Sequence, residues 1–204
     1  MARSWRRSLE YAPWLKCRIN PVRPRRSSWF FADGENLVLR YQEMLGVKRP
    51  KSNNVHVSNI FIWNPALHSV PGYSAVRMNY YTSAVGTHDK IDALKKDISK
   101  IIIQRTREVH GQMCPHVFKK EAKSKKTKIV DISICIDALR HSHHGHADAI
   151  YLLSGDGDYL PLIEEVMRNG TQVWLGAFSS GLNPKLPAAV DRFVDLDPIF
   201  FEKD

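Results

Sequence analysis

Short hydrophobic runs alternate along the chain with longer stretches in which apolar positions recur at helical spacing. The first run, 29–32, ends at Asp33-Gly34, and apolar residues then recur on one helical face until Gly46. A short apolar run that ends at a turn residue is typical of a buried strand. The pattern therefore predicts a strand at 29–32 and a helix at 35–46.

The same alternation continues through the rest of the chain. The strands it predicts are 57–63, 76–82, 116–118, 149–153, 173–177 and 193–196, and the helices are 89–108, 159–169 and 184–192. Strands that alternate with helices form a mostly parallel sheet with helices on both faces. We therefore predict an α/β fold with a central, mostly parallel sheet.

The segment 130–139 fits two patterns at once. Apolar residues occupy alternate positions, as in a half-buried strand, while positions 132, 135, 136 and 139 have the spacing of one helical face. Periodicity alone does not decide between a strand and a helix here.

Positive charge is concentrated near the N-terminus. Residues 1–28 carry eight basic side chains and one acid, hence +7 of the net charge of +9. Prolines and arginines in this segment argue against a core element, so we predict a basic extension over 1–28 and one domain over 29–204. A second basic run, 119–128, contains six lysines. Basic segments of this kind suit a polyanion such as RNA.

Cysteine usage and hydropathy bear on the compartment. The chain has three widely spaced cysteines and no CxxC pair, which predicts reduced thiols rather than disulfides or a zinc site. No run approaches the ~18 apolar residues of a membrane helix, and no apolar segment follows the basic N-terminus as in a signal peptide. We therefore expect a cytoplasmic, intracellular protein with no membrane partner.

Carboxylates follow two of the predicted strands. Asp33 follows 29–32, and Asp156 and Asp158 follow 149–153. Ligands of open α/β sheets bind beyond the carboxyl ends of the strands, and Mg²⁺ and Mn²⁺ prefer oxygen ligands. These positions suggest a cation site. Taken alone, an Asp-Gly pair is equally typical of a simple turn, and Asp158 of a helix N-cap.

Three segments taken together are more specific. Residues 32–37 (ADGENL) resemble the DGxN opening of NYN domains, a branch of the PIN-like ribonuclease fold that includes the LabA/DUF88 proteins. Residues 128–139 and 153–162 resemble later segments of that family, in the same order, and the whole resemblance spans about 29–197. It implies a three-layer PIN-like sandwich. It also implies a helix at 131–140 with Asp131 at its N-terminus, facing the site.

The resemblance implies a set of site residues. Those expected to be catalytic are Asp33, Asp131, Asp156 and Asp158, the first three as ligands of Mg²⁺ or Mn²⁺. Asp137 also matches the family pattern, but it lies ~240° around a helix from Asp131, so we expect a structural or rim role for it.

Three further residues are expected to support the site. Asn36 would orient the first carboxylate or a water, Ser154 would hydrogen-bond within the site, and Lys128 would contact phosphate. Glu35 fits either a first-turn helix acid, which the helix dipole favours, or a minor site residue, and the first interpretation is preferred.

The implied function is metal-dependent hydrolysis of RNA phosphodiester bonds, with single-stranded or structured RNA as the partner and a homodimer left open. One alternative is a non-catalytic RNA-binding or regulatory module, although such a module has no need for a costly acidic cluster facing phosphates. The other is a haloacid-dehalogenase-type phosphatase, whose late motif resembles 155–158. That family needs an Asp-x-Asp motif, where this chain has Asp33-Gly34-Glu35.

Four histidines lie within 141–146. Histidine-rich tracts can bind transition metals, but this one lies on the connection that the implied fold puts opposite the carboxylates. We therefore predict an exposed polar loop.

Overall fold

In the computed structural model, six strands form one parallel sheet with helices on both faces. The structure describes residues 26–68, 73–101, 112–121 and 128–203. The strands of the sheet are β1 (Arg26–Asp33), β4 (Tyr73–Ala84), β5 (Gln112–Lys119), β6 (Ala149–Leu153), β7 (Gln172–Ala177) and β8 (Arg192–Asp195). A separate antiparallel hairpin consists of β2 (Val55–Val57) and β3 (Phe61–Trp63). The helices are α1 (Gly34–Met44), α2 (His88–Ser99), α3 (Lys128–His143), α4 (Leu160–Arg168) and α5 (Asp197–Phe200).

Strand β1 lies in the middle of the sheet, although it comes first in the chain. The strand order is β5-β4-β1-β6-β7-β8, and the neighbouring strands pair in parallel. The chain runs from β1 outward to β4 and β5, and then returns to β6 on the other side of β1. The direction of winding thus reverses between β1 and β6, where ligands of open parallel sheets bind. The predicted α/β fold is confirmed.

Each face of the sheet has its own apolar core. Phe30 and Tyr80 point to the face covered by α1, α2 and α5. Their neighbours Phe31 and Tyr81 point to the face covered by α3 and α4, because successive side chains of a strand alternate between faces. Burial on both faces explains why the strands are continuous apolar runs in the sequence.

The ambiguous segment 130–139 is helical and lies within α3, as the family resemblance implied. Its buried residues are Val130, Ile134 and Ala138, four apart on one face. Ile132 and Ile136 are about half exposed, at 54% and 50%. These two exposed isoleucines produce the strand-like alternation in the sequence.

Two predicted elements have different limits in the structure. The strand predicted at 57–63 is a hairpin, since residues 58–60 form a turn in which Asn59 has a φ of 60°. The helix predicted at 89–108 ends at Ser99, and residues 102–111 lie outside the described residues. Strand β1 begins at Arg26, and the predicted extension up to residue 25 also lies outside them.

The helix predicted at 184–192 is wrong, because this segment forms a series of turns. Asp191 bonds the backbone of Val173 in both directions: its N–H donates to the carbonyl oxygen at 3.0 Å, and its carboxylate accepts the N–H at 2.8 Å. These bonds hold the chain beside β7 just before β8 begins, and they compete with helix formation. The short helix α5, which follows β8, was not predicted.

The remaining sequence expectations concern thiols and membranes. Cys114 and Cys135 are half-buried and are not joined in a disulfide, and Cys17 lies outside the described residues. None of the helices in the described ranges is both long enough and apolar enough to cross a bilayer.

Candidate active site

Asp33 is the last residue of β1 and the N-cap of α1. Its Oδ1 accepts the N–H of Asn36 at 3.0 Å. Its Oδ2 accepts the hydroxyl groups of Ser154 at 3.1 Å and Tyr159 at 3.4 Å. The residue is only 3% exposed. Burial raises the pKa of Asp33 to about 7, against the hydrogen bond from Asn36, and the nearby charge of Asp131 raises it further.

Helix α1 begins directly after Asp33 because residue 34 is a glycine. A Cβ at this position would collide with the ring of Tyr80 and lie 2.7 Å from the carbonyl oxygen of Tyr81. Only glycine permits this close approach of the helix to β4. The tight junction holds the Asp33 carboxylate over the end of the sheet.

The loop after β6 is tied to the start of α1 by two polar side chains. Ser154 is fully buried, and its hydroxyl group donates to Asp33 while accepting the N–H of Asp156 at 3.2 Å. Asn36 accepts the N–H of Gly155 with its Oδ1 at 3.1 Å. Ser154 and Asn36 thus connect the loop after β6 to Asp33 and the first turn of α1.

Asp156 lies in this loop and caps a 3-10 turn at Gly157–Tyr159. Its Oδ1 accepts the N–H of Asp158 at 3.0 Å. A Cβ on Gly157 would overlap the side chain of Asn183, so this turn packs closely against the segment before β8. The packing fixes the position of Asp156.

Asp131 approaches the same place from the other face of the sheet, in the first turn of α3. The hydroxyl oxygen of Tyr159 lies 3.2 Å from Asp131 Oδ1 and 3.4 Å from Asp33 Oδ2. Burial raises the pKa of Tyr159 above its ordinary value, and the charges of the two carboxylates add to this effect. The hydroxyl group therefore stays protonated and links the two acids.

The predicted carboxylates line one pocket of about 620 Å³. Asp33, Asp131 and Asp156 all contribute to its wall, together with Asn36. The pocket continues along α1 toward the β2–β3 hairpin, which supplies residues of its turn. The structure thus brings three distant segments together where the winding of the sheet reverses.

Lys120 and Tyr159 were missed by the sequence analysis, and Glu35 was interpreted there as a helix acid in preference to a minor site residue. Glu35 accepts a hydrogen bond from Ser83 and forms an ion pair with Lys120, with 3.2 Å between Nζ and Oε1. The side chains of Lys120 and Glu35 are only 15% and 21% exposed, and both residues line the pocket. In the sequence, Glu35 fits a helix start and Lys120 a basic run. Only the pairing of β5 with β4 reveals their contact.

Three predicted residues do not line this pocket. Lys128 and Asp158 are exposed, and neither is among the described residues that line the pocket. Asp137 accepts the hydroxyl group of Tyr81 and an N–H group of Arg140, both at 2.8 Å. These bonds agree with the structural role expected for Asp137.

The carboxylates supply the oxygen donors that Mg²⁺ and Mn²⁺ prefer. A cation beside Asp33 and Asp131 would also relieve the repulsion that raises the pKa of Asp33. Within the described ranges, no three or more His, Cys, Asp or Glu side chains are arranged to hold one ion together. Mg²⁺ usually keeps several waters and needs only one or two carboxylates. The donor set therefore fits a hydrated hard cation.

A parallel α/β sheet with acids at its winding reversal agrees with a domain of the PIN-like ribonuclease superfamily. The model of the NYN domain matches residues 28–197, and the chain belongs to this family. The fold is similar to the crystal structure of a protein of unknown function from Vibrio parahaemolyticus, with a TM-score of 0.57. The two are 18% identical, and the similarity covers 87% of this chain and 96% of that one. A comparison with curated proteins gives no match.

Proposed function

We propose that this protein is a metal-dependent ribonuclease that hydrolyses RNA phosphodiester bonds in the pocket beyond β1 and β6. The burial of Asp33 beside Asp131 carries the proposal. An ionised carboxylate that is 3% exposed is costly to the fold, and an uncharged Asn or Ser caps a helix as well as Asp does. Strongly perturbed carboxylates in a cleft are typical of functional sites.

Asp33, Asp131 and Asp156 would hold hydrated Mg²⁺ or Mn²⁺ in this pocket, one or two of them directly and the rest through waters of the ion. Such an ion, when bound, polarises the phosphate and makes a bound water more acidic. The protein's own contribution is to fix the carboxylates. Ser154 and Asn36 hold Asp33 by hydrogen bonds, so its oxygens need little reorganisation when substrate arrives.

Two further groups have roles in substrate binding and orientation. Tyr159 keeps its proton and orients the carboxylates of Asp33 and Asp131 by hydrogen bonding. Lys120 places an ammonium group on the pocket wall, where its partner Glu35 holds it. An ammonium group in this position can contact a phosphate oxygen of the RNA.

The direct test is cleavage of labelled RNA and of DNA of the same sequence by the full chain, with Mg²⁺, Mn²⁺ or EDTA. We expect RNA to be cut only with a divalent ion, and Asp156→Asn to lose that activity. Asp92→Asn removes an exposed carboxylate of α2 and is the matched control. RNA that is bound but left intact with every metal contradicts the proposal and favours a binding module. Covalent trapping of an aspartyl phosphate would instead favour a phosphatase.

A further inference from the structure

The pocket extends well beyond the carboxylates. From Glu35 to Gln42 it follows α1, a distance of about 10 Å at the rise of an α-helix. We call this part of the pocket the side arm. Its walls are mixed: the apolar residues that line it are Val38, Leu39, Ile60, Ala84 and Val85, and the cationic side chain of Arg40 lines the pocket as well.

Two aliphatic side chains of the side arm are exposed to solvent. Leu39 is 51% exposed and Val85 is 46% exposed. Leu39 lies off the buried face of α1, and Val85 follows the last residue of β4, so neither contributes a core contact that explains its type. Single exposed apolar residues are ordinary. Two that line one concave pocket form a surface that an apolar ligand would cover.

The far end of the side arm is polar. Gln42 Nε2 donates to the hydroxyl oxygen of Ser58 at 3.0 Å, and Asn59 Nδ2 donates to the same oxygen at 3.1 Å. All three residues line the pocket. Two amides and one hydroxyl group offer both donors and acceptors, which is the chemistry that recognises the edge of a nucleobase.

We propose that the side arm binds one nucleobase of the RNA, from a nucleotide next to the scissile phosphate. The base would contact Leu39 and Val85 and direct its polar edge toward Gln42 and Ser58. The side arm is continuous with the carboxylates, and Lys120 lies on the wall of the same pocket. A phosphate at Lys120 and a base in the side arm would therefore lie in one pocket. The proposal rests on the proposed function, because that function supplies the scissile phosphate.

The first experiment measures binding without cleavage. The full chain is titrated with each of the four nucleoside 5′-monophosphates and with ribose 5-phosphate, which lacks the base, while NMR follows the methyl groups of Leu39 and Val85. We expect at least one mononucleotide to bind about tenfold more tightly than ribose 5-phosphate, as the burial of apolar surface on one base provides. Both methyl signals should shift.

Variants test whether the side arm causes the preference for mononucleotides over ribose 5-phosphate. Leu39→Ala should remove most of the tenfold preference, and it retains a good helix former at an exposed position of α1. Val57→Ala is the matched control, because Val57 is 43% exposed on β2 and does not line the pocket. Equal binding of mononucleotides and ribose 5-phosphate would overturn the proposal, as would an equal effect of the two variants.

The second experiment uses cleavage of a short RNA with a single cut site. An abasic residue is placed on either side of the cut, in separate substrates. We expect one of the two abasic RNAs to show a KM about tenfold higher with nearly unchanged kcat, since one base contact is lost. Leu39→Ala should raise the KM of the intact RNA and of the other abasic RNA, but not of the abasic RNA that already lacks this base.

The outcomes separate this proposal from the nuclease itself. An enzyme that cuts intact RNA and both abasic RNAs with one KM remains a ribonuclease but has no base site in the side arm. A protein that leaves RNA uncut, yet binds mononucleotides through Leu39, keeps the base site and contradicts only the nuclease function.

Discussion

The two ends of the central strands β1 and β6 are both rich in ionisable residues, but they differ in burial. Beyond the carboxyl ends, Asp33 is 3% exposed and accepts hydrogen bonds from three residues. Before the amino end of β6, His143, His144 and His146 are exposed. His141 stacks on Trp29 with 3.6 Å between ring centroids. The acids are packed into one pocket, whereas the histidines lie on the surface or pack as a structural contact.

The difference shows that a high density of ionisable residues along the sequence is a poor guide to a functional site. The histidines are neighbours in the chain, at the end of α3 and in the loop after it. The acids come from segments that are far apart in the chain. Tyr159, whose hydroxyl group links Asp33 and Asp131, is 126 positions from Asp33 and still hydrogen-bonds it. The fold buries ionisable groups, at a cost in free energy, where distant segments converge. We therefore expect the function at the carboxyl ends of β1 and β6.

The largest expected effect is the loss of cleavage in Asp33→Asn. Asn has the same shape but removes a negative charge from the proposed cation site, so single-turnover cleavage of RNA should fall by about a thousandfold or more. His144→Asn, at the opposite end, should cleave at the wild-type rate. If Asp33→Asn is fully active and its circular dichroism is unchanged, the acidic end is not the active site.

The second prediction concerns stability and pH without metal. The folded-state pKa of Asp33 is about 7, against 3.8 for its ordinary value. The folded protein therefore holds a proton that the unfolded chain releases, and stability falls as the pH rises through this window. In EDTA, Asp33 should lower the free energy of unfolding between pH 5 and pH 8 by at most about 3 kcal/mol.

Urea unfolding at the two pH values measures this change. Asp33→Asn should lose the part of this decrease that Asp33 causes. Its free energy of unfolding at pH 8 should therefore be larger than that of the wild type. Asp92→Asn, which alters an exposed acid, should keep the wild-type pH dependence. If Asp33→Asn shows the full wild-type decrease in the free energy of unfolding, the carboxyl group of Asp33 ionises in the folded protein without cost.

A smaller effect is expected from the hydroxyl group that links the two acids. Tyr159→Phe leaves the ring in place but removes the donor between Asp33 and Asp131, so cleavage should fall by about tenfold. Tyr81→Phe is a matched control, since it removes a hydroxyl group from Asp137, outside the pocket. Each variant should lose about 1 kcal/mol of stability. Equal cleavage by both variants would mean that Tyr159 serves packing alone.

The smallest effect on turnover is expected from deleting residues 1–25, which leaves β1 whole. The segment carries seven basic side chains and one acid. Each phosphate that it neutralises on single-stranded RNA adds about 0.7 to the slope of log K against log salt. The deletion should therefore reduce that slope by up to about 5, while turnover at saturating RNA stays the same. A truncated protein that melts much earlier but keeps its salt slope would show that the segment packs on the domain.

The sequence predicted those parts of the site that local patterns determine. Asp33 and Asp156 each follow an apolar strand at a glycine-rich turn, so their place at one edge of the sheet followed from the α/β pattern. Asp131 needed the family resemblance, because Ile132 and Ile136 are exposed on α3 and imitate a strand.

Other parts depend on pairing between distant segments. The contact between Glu35 and Lys120 requires the parallel register in which Ala84 lies beside Lys119. Tyr159 fits a helix start in the sequence, and only the fold brings its hydroxyl group to Asp33. Local spacing does not specify either contact.

The central position of β1 also determines when the pocket can first exist during synthesis. Asp33 emerges early from the ribosome, but its partners Ser154 and Tyr159 come more than 120 residues later. At 5–20 residues per second, this interval lasts about 6–25 s. Throughout it the growing chain lacks a complete pocket, even though it is attached to its own messenger RNA and to ribosomal RNA. With this strand order, the proposed ribonuclease activity can arise only when the domain is nearly finished.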